Sequence, residues 1–280
     1  MIYRASNMTL AGIRSVKDTP ACAIEICRNT DAPQGDYYTV ITIEDHQLFH
    51  DFLDVYDRAD PSTTRYIDCF SEGDRHTIVY PYAPERPLEE FYFGEALSLS
   101  ESEDICINVI VSCMAARLPW PILYLILTQG QLHLARDGQV SLGYQIDLTE
   151  LESDRDERDC AIECARLLKR LLESKAGQKA MSFILLKKKI AKRSYSGFAE
   201  LYKDVRIAAV PKEQQGWRLK LRLWVARNRD TMFRLLLIVC LIMAIVAAAL
   251  FITQAIFGDV PWLRLFISSF KRIGTESLLQ

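Results

Sequence analysis

Residues 131–142 read QLHLARDGQVSL and contain the clearest turn signal of the chain. Apolar residues alternate with polar ones on both sides of Asp137 and Gly138, and an Asp-Gly pair between such segments is typical of a tight β-turn. The sequence therefore predicts a β-hairpin with strands at residues 131–135 and 139–142. The hairpin decides the fold because helical patterns lie on both sides of it.

Working outward, the residues before the hairpin predict strands first and helices later. Strand-like segments cover 8–16, 21–28, 37–43, 66–70 and 76–80, and apolar residues at helical spacing predict a helix over 44–58. Helical patterns then cover 88–93 and 102–118, and after residue 157 only helices are predicted, including 160–172 and 196–208. The order is that of an α+β protein with a β-rich first half and a helical second half.

This order of elements resembles the protein kinase fold, and three segments carry the resemblance. Residues 76–82, HTIVYPY, resemble the fifth strand and hinge, and the hairpin resembles the NILLDxDGxVKL stretch after a kinase catalytic loop. Asp159 and the helix after it resemble the buried helix that anchors the kinase C-lobe. The resemblance implies a two-lobed protein-kinase-like fold, with a β-rich N-lobe at 1–82 and a helical C-lobe at 83–210.

The same resemblance implies that the catalytic residues are missing. A kinase uses a lysine of its third strand, an HRD aspartate, an asparagine and a DFG aspartate. Lys17, the single lysine in residues 1–168, has too few residues before it to stand in the third strand. We therefore expect no catalysis, no ATP binding and no cofactor. The lysine position falls on Ile43, and the HRD positions fall on Tyr124, Leu125 and Ile126. The asparagine position falls on Gln131, and the DFG positions fall on Tyr144, Gln145 and Ile146.

Two acidic residues near the missing positions have structural explanations. Asp137 fits the chemistry of the hairpin turn. Asp147 lies three residues after Tyr144, the first DFG position. It could cap a following helix together with Glu150. We expect neither to support phosphoryl transfer.

No metal site or other enzyme signature is predicted. GxSxG, HExxH, GxxxxGK[ST] and a GxGxxG after a strand are all missing from the sequence. Cys160 and Cys164 stand one helical turn apart without further ligands nearby, which favours buried thiols in a reducing compartment. His46 and His50 share a helix face without a third ligand, which favours solvated or capping roles.

Residues 235–257, LLLIVCLIMAIVAAALFITQAIF, are long and apolar enough for one transmembrane helix. The basic juxtamembrane segment 211–234 precedes this helix, and fewer basic residues follow in the short tail, 258–280. This imbalance predicts a cytoplasmic N-terminal body, an external tail and an inner-leaflet surface as partner. The basic residues expected at that membrane surface are Arg218, Lys220, Arg222, Arg227, Arg229 and Arg234.

Charge is distributed unevenly along the chain. Residues 1–160 hold 12 basic and 28 acidic residues, whereas 161–280 hold 22 and 8. An acidic body argues against nucleic-acid binding, which needs a basic face.

Taken with the missing residues, these features predict a membrane-tethered pseudokinase that acts as a cytoplasmic scaffold or assembly subunit in the cell membrane, with protein partners in a membrane complex. It is distantly similar to the pseudokinase subunit of bacterial type VII secretion systems, from which the short external tail departs. The alternatives are an atypical nucleotide-binding receptor Ser/Thr kinase and a non-kinase tail-anchored adaptor.

Overall fold

A computed structural model describes residues 1–19, 21–32, 36–63, 66–95, 97–135, 138–175, 180–209 and 229–257. The chain divides into two compact units, residues 1–216 and 217–280. The first unit is an α+β body whose strands lie mainly in its N-terminal part and whose helices lie mainly in its C-terminal part. The predicted α+β order is therefore confirmed.

Six antiparallel strands form the main sheet in the order β1-β2-β3-β4-β6-β5. In the central pair, Tyr38 of β4 lies opposite Pro81 of β6 and Ile43 lies opposite His76. The edge strand β1 was not predicted. The strands are β1 Ile2–Ala5, β2 Met8–Asp18, β3 Cys22–Asn29, β4 Tyr37–Ile43, β5 Asp68–Glu72 and β6 Arg75–Pro81.

The central strands are buried on both faces, because the sheet is covered on one face and curled on the other. Ser6, just after β1, donates through its backbone N–H to Asp68 Oδ2 of β5 at 2.7 Å, which ties the two edges of the sheet together. The curled face encloses a small core of Tyr3, Leu10, Cys27, Val40 and Val79. The opposite face joins the main core through Cys22, Ile24, Ile41, Ile43, Ile78 and Tyr80.

Helix α1, His46–Asp57, packs on the face that joins the main core. Its N-cap is Asp45, whose carboxylate accepts hydrogen bonds from two backbone N–H groups of the first turn. Phe52, Val55 and Tyr56 are its buried residues and have the i, i+3, i+4 spacing of one helix face. The structure thus confirms the helix predicted over 44–58.

The helical part is built around α5, Glu157–Lys175, which contacts α2, α3, α4, α6 and α7. Helix α3 begins earlier than predicted, because Ser98 and Glu101 form a capping box ahead of residue 102. The remaining helices are α2 Leu88–Gly94, α3 Leu99–Ala115, α4 Trp120–Thr128, α6 Met181–Ala191 and α7 Phe198–Ala208, with a 3₁₀ turn at Leu148–Glu150.

The predicted hairpin is present as β8, Leu132–Leu134, and β9, Val140–Leu142, with Leu132 opposite Leu142. Gly138 has φ of +84°, a conformation that favours glycine, as the turn prediction requires. Asp137 lies outside the described residues. A short strand that was not predicted, β7 Arg86–Pro87, extends the hairpin into a three-stranded sheet.

In the second unit the structure describes one helix, α8 Arg229–Phe257. Its segment Met232–Ala249 is long and apolar enough to cross a membrane and is not buried within the protein. Arg229 is the first residue of α8, and Arg234 lies in its second turn. Arg218, Lys220, Arg222 and Arg227, together with the tail 258–280, lie outside the described residues.

Candidate functional site

The candidate site lies where the main sheet meets the helical part, and an ion pair marks it. Lys17, near the end of β2, donates through Nζ to Asp147 Oδ2 in the segment after β9. Both side chains are partly buried, with 34 % and 15 % of their surfaces exposed. The contact joins residues 130 positions apart in the chain. We call it the Lys17–Asp147 pair.

Gln129, the residue that ends α4, fixes the backbone around Asp147. The Asp147 N–H donates to Gln129 Oε1 at 2.7 Å, and Gln129 Nε2 donates to the Asp147 carbonyl at 3.1 Å. Gln129 Nε2 also donates to Glu150 Oε2 at 2.9 Å. The side chain of Gln129 therefore holds the 3₁₀ turn Leu148–Glu150 next to the C-terminal end of α4.

Asp147 also caps that 3₁₀ turn through its second carboxylate oxygen. Its Oδ1 accepts from the Thr149 hydroxyl at 2.7 Å and from the Thr149 N–H at 3.1 Å. The predicted capping role is confirmed, whereas Glu150, the predicted reciprocal partner, accepts from Gln129 instead. The two oxygens of Asp147 thus serve two purposes, a local cap and a long-range ion pair.

The electrostatics of the Lys17–Asp147 pair favour the charged forms of both groups. The hydrogen bond to Asp147 raises the pKa of Lys17. Partial burial of Asp147 opposes its ionisation, but the hydrogen bonds from Lys17 and Thr149 outweigh burial and lower its pKa. Lys17 is therefore a charged group already bound to a carboxylate, rather than a free cation.

Three tyrosines pack against one another, and one of them, Tyr144, precedes Asp147 by three residues. The ring of Tyr144 stacks on the ring of Tyr80 with centroids 4.6 Å apart and an interplanar angle of 2°. Tyr80, at the end of β6, is 1 % exposed, and its hydroxyl lies 3.0 Å from the hydroxyl of Tyr56 on α1. Burial raises the pKa of Tyr80 well above its usual value, which keeps the phenol neutral.

Gly143 lets the chain pass closely over His133 on its way to Tyr144. A Cβ atom at position 143 would overlap the buried His133 ring. Burial lowers the pKa of His133, so this ring is neutral where it meets the backbone. The position of Tyr144 is thus fixed by a glycine that no larger residue could replace without displacing His133.

The three positions that the kinase resemblance assigns to HRD lie on a helix. Leu125 and Ile126 of α4 are buried in the main core. Tyr124 lies at the surface of that core, and the Arg155 guanidinium stands 4.6 Å above its ring. All three thus have packing roles, and α4 itself was not predicted.

The other assigned positions are also taken up by packing or backbone pairing. Ile43 and Ile146 are fully buried in the main core. The Gln131 carbonyl accepts from the Gly143 N–H at 2.7 Å. Gln145 is half-buried, and Tyr144 forms the stack described above.

The residues considered for metal binding occupy separate places. Cys160 and Cys164 are buried on α5, and the Cys160 thiol lies 3.2 Å from the Trp120 carbonyl, so the expectation of buried thiols is confirmed. Burial raises the pKa of Cys160. His50 is exposed and pairs with Asp54 at 3.5 Å. Among the residues that the structure describes, no group of three metal-ligating side chains is arranged to hold an ion.

Sequence reasoning missed the Lys17–Asp147 pair, although it noted both residues. The one available signal was that Lys17 is the only lysine in the first 168 residues. Comparison with protein-family models finds no match to the chain, and comparison with curated proteins finds no similar sequence. The chemistry of the site is that of a contact: a cation and a carboxylate neutralise each other.

Proposed function

We propose that the chain is a membrane-tethered, catalytically inactive kinase-like protein that serves as a scaffold or assembly subunit. The arrangement of β2, β3, β4, α1, β5 and β6 supports the N-lobe of this proposal, since the helix follows the third of these five strands. The hairpin and the buried helix α5 support the C-lobe. The additional strand β1 is a feature of this chain that the resemblance does not supply.

One observation supports the inactive assignment: the only lysine of residues 1–168 is paired with a carboxylate of the protein itself. In this proposal the Lys17–Asp147 pair and the Tyr144–Tyr80 stack take the place of the groups that contact nucleotide phosphates and Mg²⁺ in a kinase. The positions assigned to HRD lie on a helix with two side chains in the core. In this proposal, ATP and phosphoryl transfer play no part.

The helix α8 supports the tether. It has 29 residues and therefore spans about 43 Å at 1.5 Å per residue, more than the ~30 Å of a hydrocarbon core. In our proposal the acidic body lies in the cytoplasm and the tail 258–280 outside, because basic residues are concentrated before the span. The partners are then the lipid bilayer and other proteins of a membrane complex, by analogy with the proposed resemblance to the type VII secretion subunit, and not nucleic acid.

A second candidate function, an atypical nucleotide-binding kinase, is favoured by one contact. Lysine and aspartate are residue types that bind phosphate and Mg²⁺, and here Lys17 and Asp147 are in direct contact. Nucleotide would then have to separate them. The third candidate is a tail-anchored adaptor, which would have the same membrane anchor but a soluble body that is not kinase-like.

Nucleotide binding distinguishes these functions. The full-length protein in mild detergent is heated with and without 1 mM ATP and Mg²⁺, and phosphate transfer to a generic substrate is followed in parallel. A ligand at about 100 times its Kd stabilises a folded protein by about 2.7 kcal/mol, so even weak micromolar binding raises the melting temperature measurably. We expect no Mg²⁺-dependent shift and no transfer.

Either positive result contradicts the inactive assignment. A shift that the Lys17→Met variant loses would identify a nucleotide site at the Lys17–Asp147 pair. Phosphate transfer in addition would identify a kinase. A shift that Lys17→Met retains would place the nucleotide elsewhere in the protein and would also overturn the proposal that ATP has no role.

A further inference from the structure

Two histidines form a close contact between α1 and the main sheet. His46 is the first residue of α1, and its Nδ1 lies 2.7 Å from Nε2 of His76 on β6. The rings meet edge to face, with centroids 4.8 Å apart. His76 is 8 % exposed and stacks on Phe49 of the same helix at 4.0 Å. His76 thus touches the first turn of α1 through two residues.

The second nitrogen of His76 is also engaged. Ser71 lies opposite His76 in the β5–β6 ladder, and its hydroxyl is 2.7 Å from His76 Nδ1. A hydrogen bond between the two imidazoles needs one N–H and one lone pair, so only one of the two facing nitrogens carries a proton. The observed contact is therefore compatible with at most one positive charge in the pair.

The neighbouring charges compensate a second positive charge poorly. Asp74, in the β5–β6 turn, is the nearest carboxylate, with Oδ1 3.9 Å from His46 Nε2, and it is exposed to solvent. Asp45 is committed to capping α1, and Glu44 pairs with Arg75 at 2.9 Å. The N-terminal end of α1 itself carries a partial positive charge that opposes cations.

The residues opposite His76 in its two ladders are neutral, whereas Arg75, next to it on β6, lies opposite Glu72 of β5. Ile43 of β4 lies opposite His76 in the ladder, and Thr77 and Thr42 form the next pair. On α1, His50 is turned to Asp54 at 3.5 Å and has no described contact with His76. In the described part of the chain, no carboxylate of β4, β5 or α1 forms a hydrogen bond with either ring.

We propose that the His46–His76 pair is a pH-sensitive contact that holds the first turn of α1 on the sheet and releases it on acidification. At neutral pH one hydrogen atom lies between the rings. When both rings are protonated, two N–H groups face each other, the hydrogen bond is lost and like charges repel. The side chain of His46 is 65 % exposed and can turn to solvent, whereas that of His76 is held between Phe49 and Ser71.

The direction of the titration agrees with this proposal. Burial, together with the neighbouring His46, lowers the pKa of His76 below its usual value of 6.5. A group whose pKa is lowered by folding binds fewer protons in the folded state, so stability is present above pH 6.5 and falls as the pH drops below it. The release is therefore expected under mildly acidic conditions.

Hydrogen exchange of the full-length protein in detergent tests the proposal. Protection of the α1 first turn is compared at pH 7.5 and 5.5, after correction for intrinsic exchange, with EDTA present because facing imidazoles also bind metal ions. In the wild type we expect protection to fall several-fold at pH 5.5. In His46→Gln, which leaves the buried His76 without a facing imidazole, the fall should be clearly smaller than in the wild type. His50→Gln, on the same helix, should behave like the wild type.

Three results would overturn the proposal. The first is a wild type whose first turn is equally protected at both pH values. The second is a His46→Gln variant with the full acid response. The third is a His46→Gln variant already unprotected at pH 7.5, which would show a structural contact without pH sensitivity. A histidine NMR titration adds an independent measurement: the pKa of His76 should rise in His46→Gln, because a repelling neighbour is gone.

Discussion

Replacing Tyr144 by alanine tests whether the stack of this ring on Tyr80 stabilises the protein. The ring lies flat on Tyr80, with centroids 4.6 Å apart. An aromatic pair of this kind contributes about 0.5–1.5 kcal/mol beyond the area it buries. Tyr144 is half-buried. Truncation therefore also exposes or empties about 100 Å² of apolar surface, worth about 2.5 kcal/mol at 25 cal/mol per Å².

The expected loss for Tyr144→Ala is thus about 3 kcal/mol in the free energy of unfolding. For a folded body of roughly 150–250 residues, 1 kcal/mol corresponds to about 2–4 °C in melting temperature, so the midpoint should fall by about 6–12 °C. Urea unfolding and thermal melting of the full-length protein in detergent measure both quantities. The variant should still fail to bind ATP, because Lys17 remains paired with Asp147.

Two further variants separate stacking from general damage. Tyr144→Phe keeps the ring and should stay within about 1 kcal/mol of the wild type. Tyr82→Ala removes a nearby ring whose partner, Tyr37, lies 6.2 Å away at a tilt of 56°, and it should also cost less than Tyr144→Ala. A loss below about 1 kcal/mol for Tyr144→Ala would refute a stabilising stack of Tyr144 on Tyr80. An equal loss for Tyr144→Phe would show that the hydroxyl, and not the stack, matters.

Two other predictions concern the ion pair and the membrane orientation. Lys17→Met and Asp147→Asn should each destabilise the protein, and the double variant should lose little more than either single variant, because both remove one interaction; additive losses in urea unfolding would contradict direct coupling. In intact cells, a membrane-impermeant maleimide should label Ser269→Cys but not Ser71→Cys, which should react only after lysis; the reverse pattern would place the acidic body outside.

The elements that the sequence predicted are those with a local signal. The β8–β9 hairpin has an Asp-Gly turn between alternating residues, and α1 has apolar residues at helical spacing. Helix α4 was missed because its sequence, WPILYLILT, is apolar on nearly all sides and shows no amphipathic period. Pro119 and Pro121 also read as breaks, although proline is tolerated in the first turn of a helix.

The edge strand and the site depend on contacts between distant residues. Strand β1 is four residues long, and the chain just after it is held to β5 by the bonds between Ser6 and Asp68, 62 positions away. Lys17 and Asp147 are 130 positions apart, and each has an ordinary local explanation. Neither pairing leaves a periodic pattern in the sequence. The capping role of Asp147 was predictable because a cap is local, whereas its ion pair was not.

Under the proposed kinase-like assignment, the packing of the core means that one substitution would not confer activity. Ile43 and Ile126, at the positions that the resemblance assigns to the lysine and to the HRD aspartate, are fully buried in the main core, as is Ile146 at the DFG glycine position. Burial of each such side chain contributes about 1.5–3 kcal/mol to stability. An aspartate at position 126 would place an unpaired carboxylate inside α4, and a buried charge without a partner costs several kcal/mol. The residues that would have to return for catalysis are therefore the ones on which folding now depends, so the proposed loss of activity is built into the packing of the protein and not only into its missing side chains.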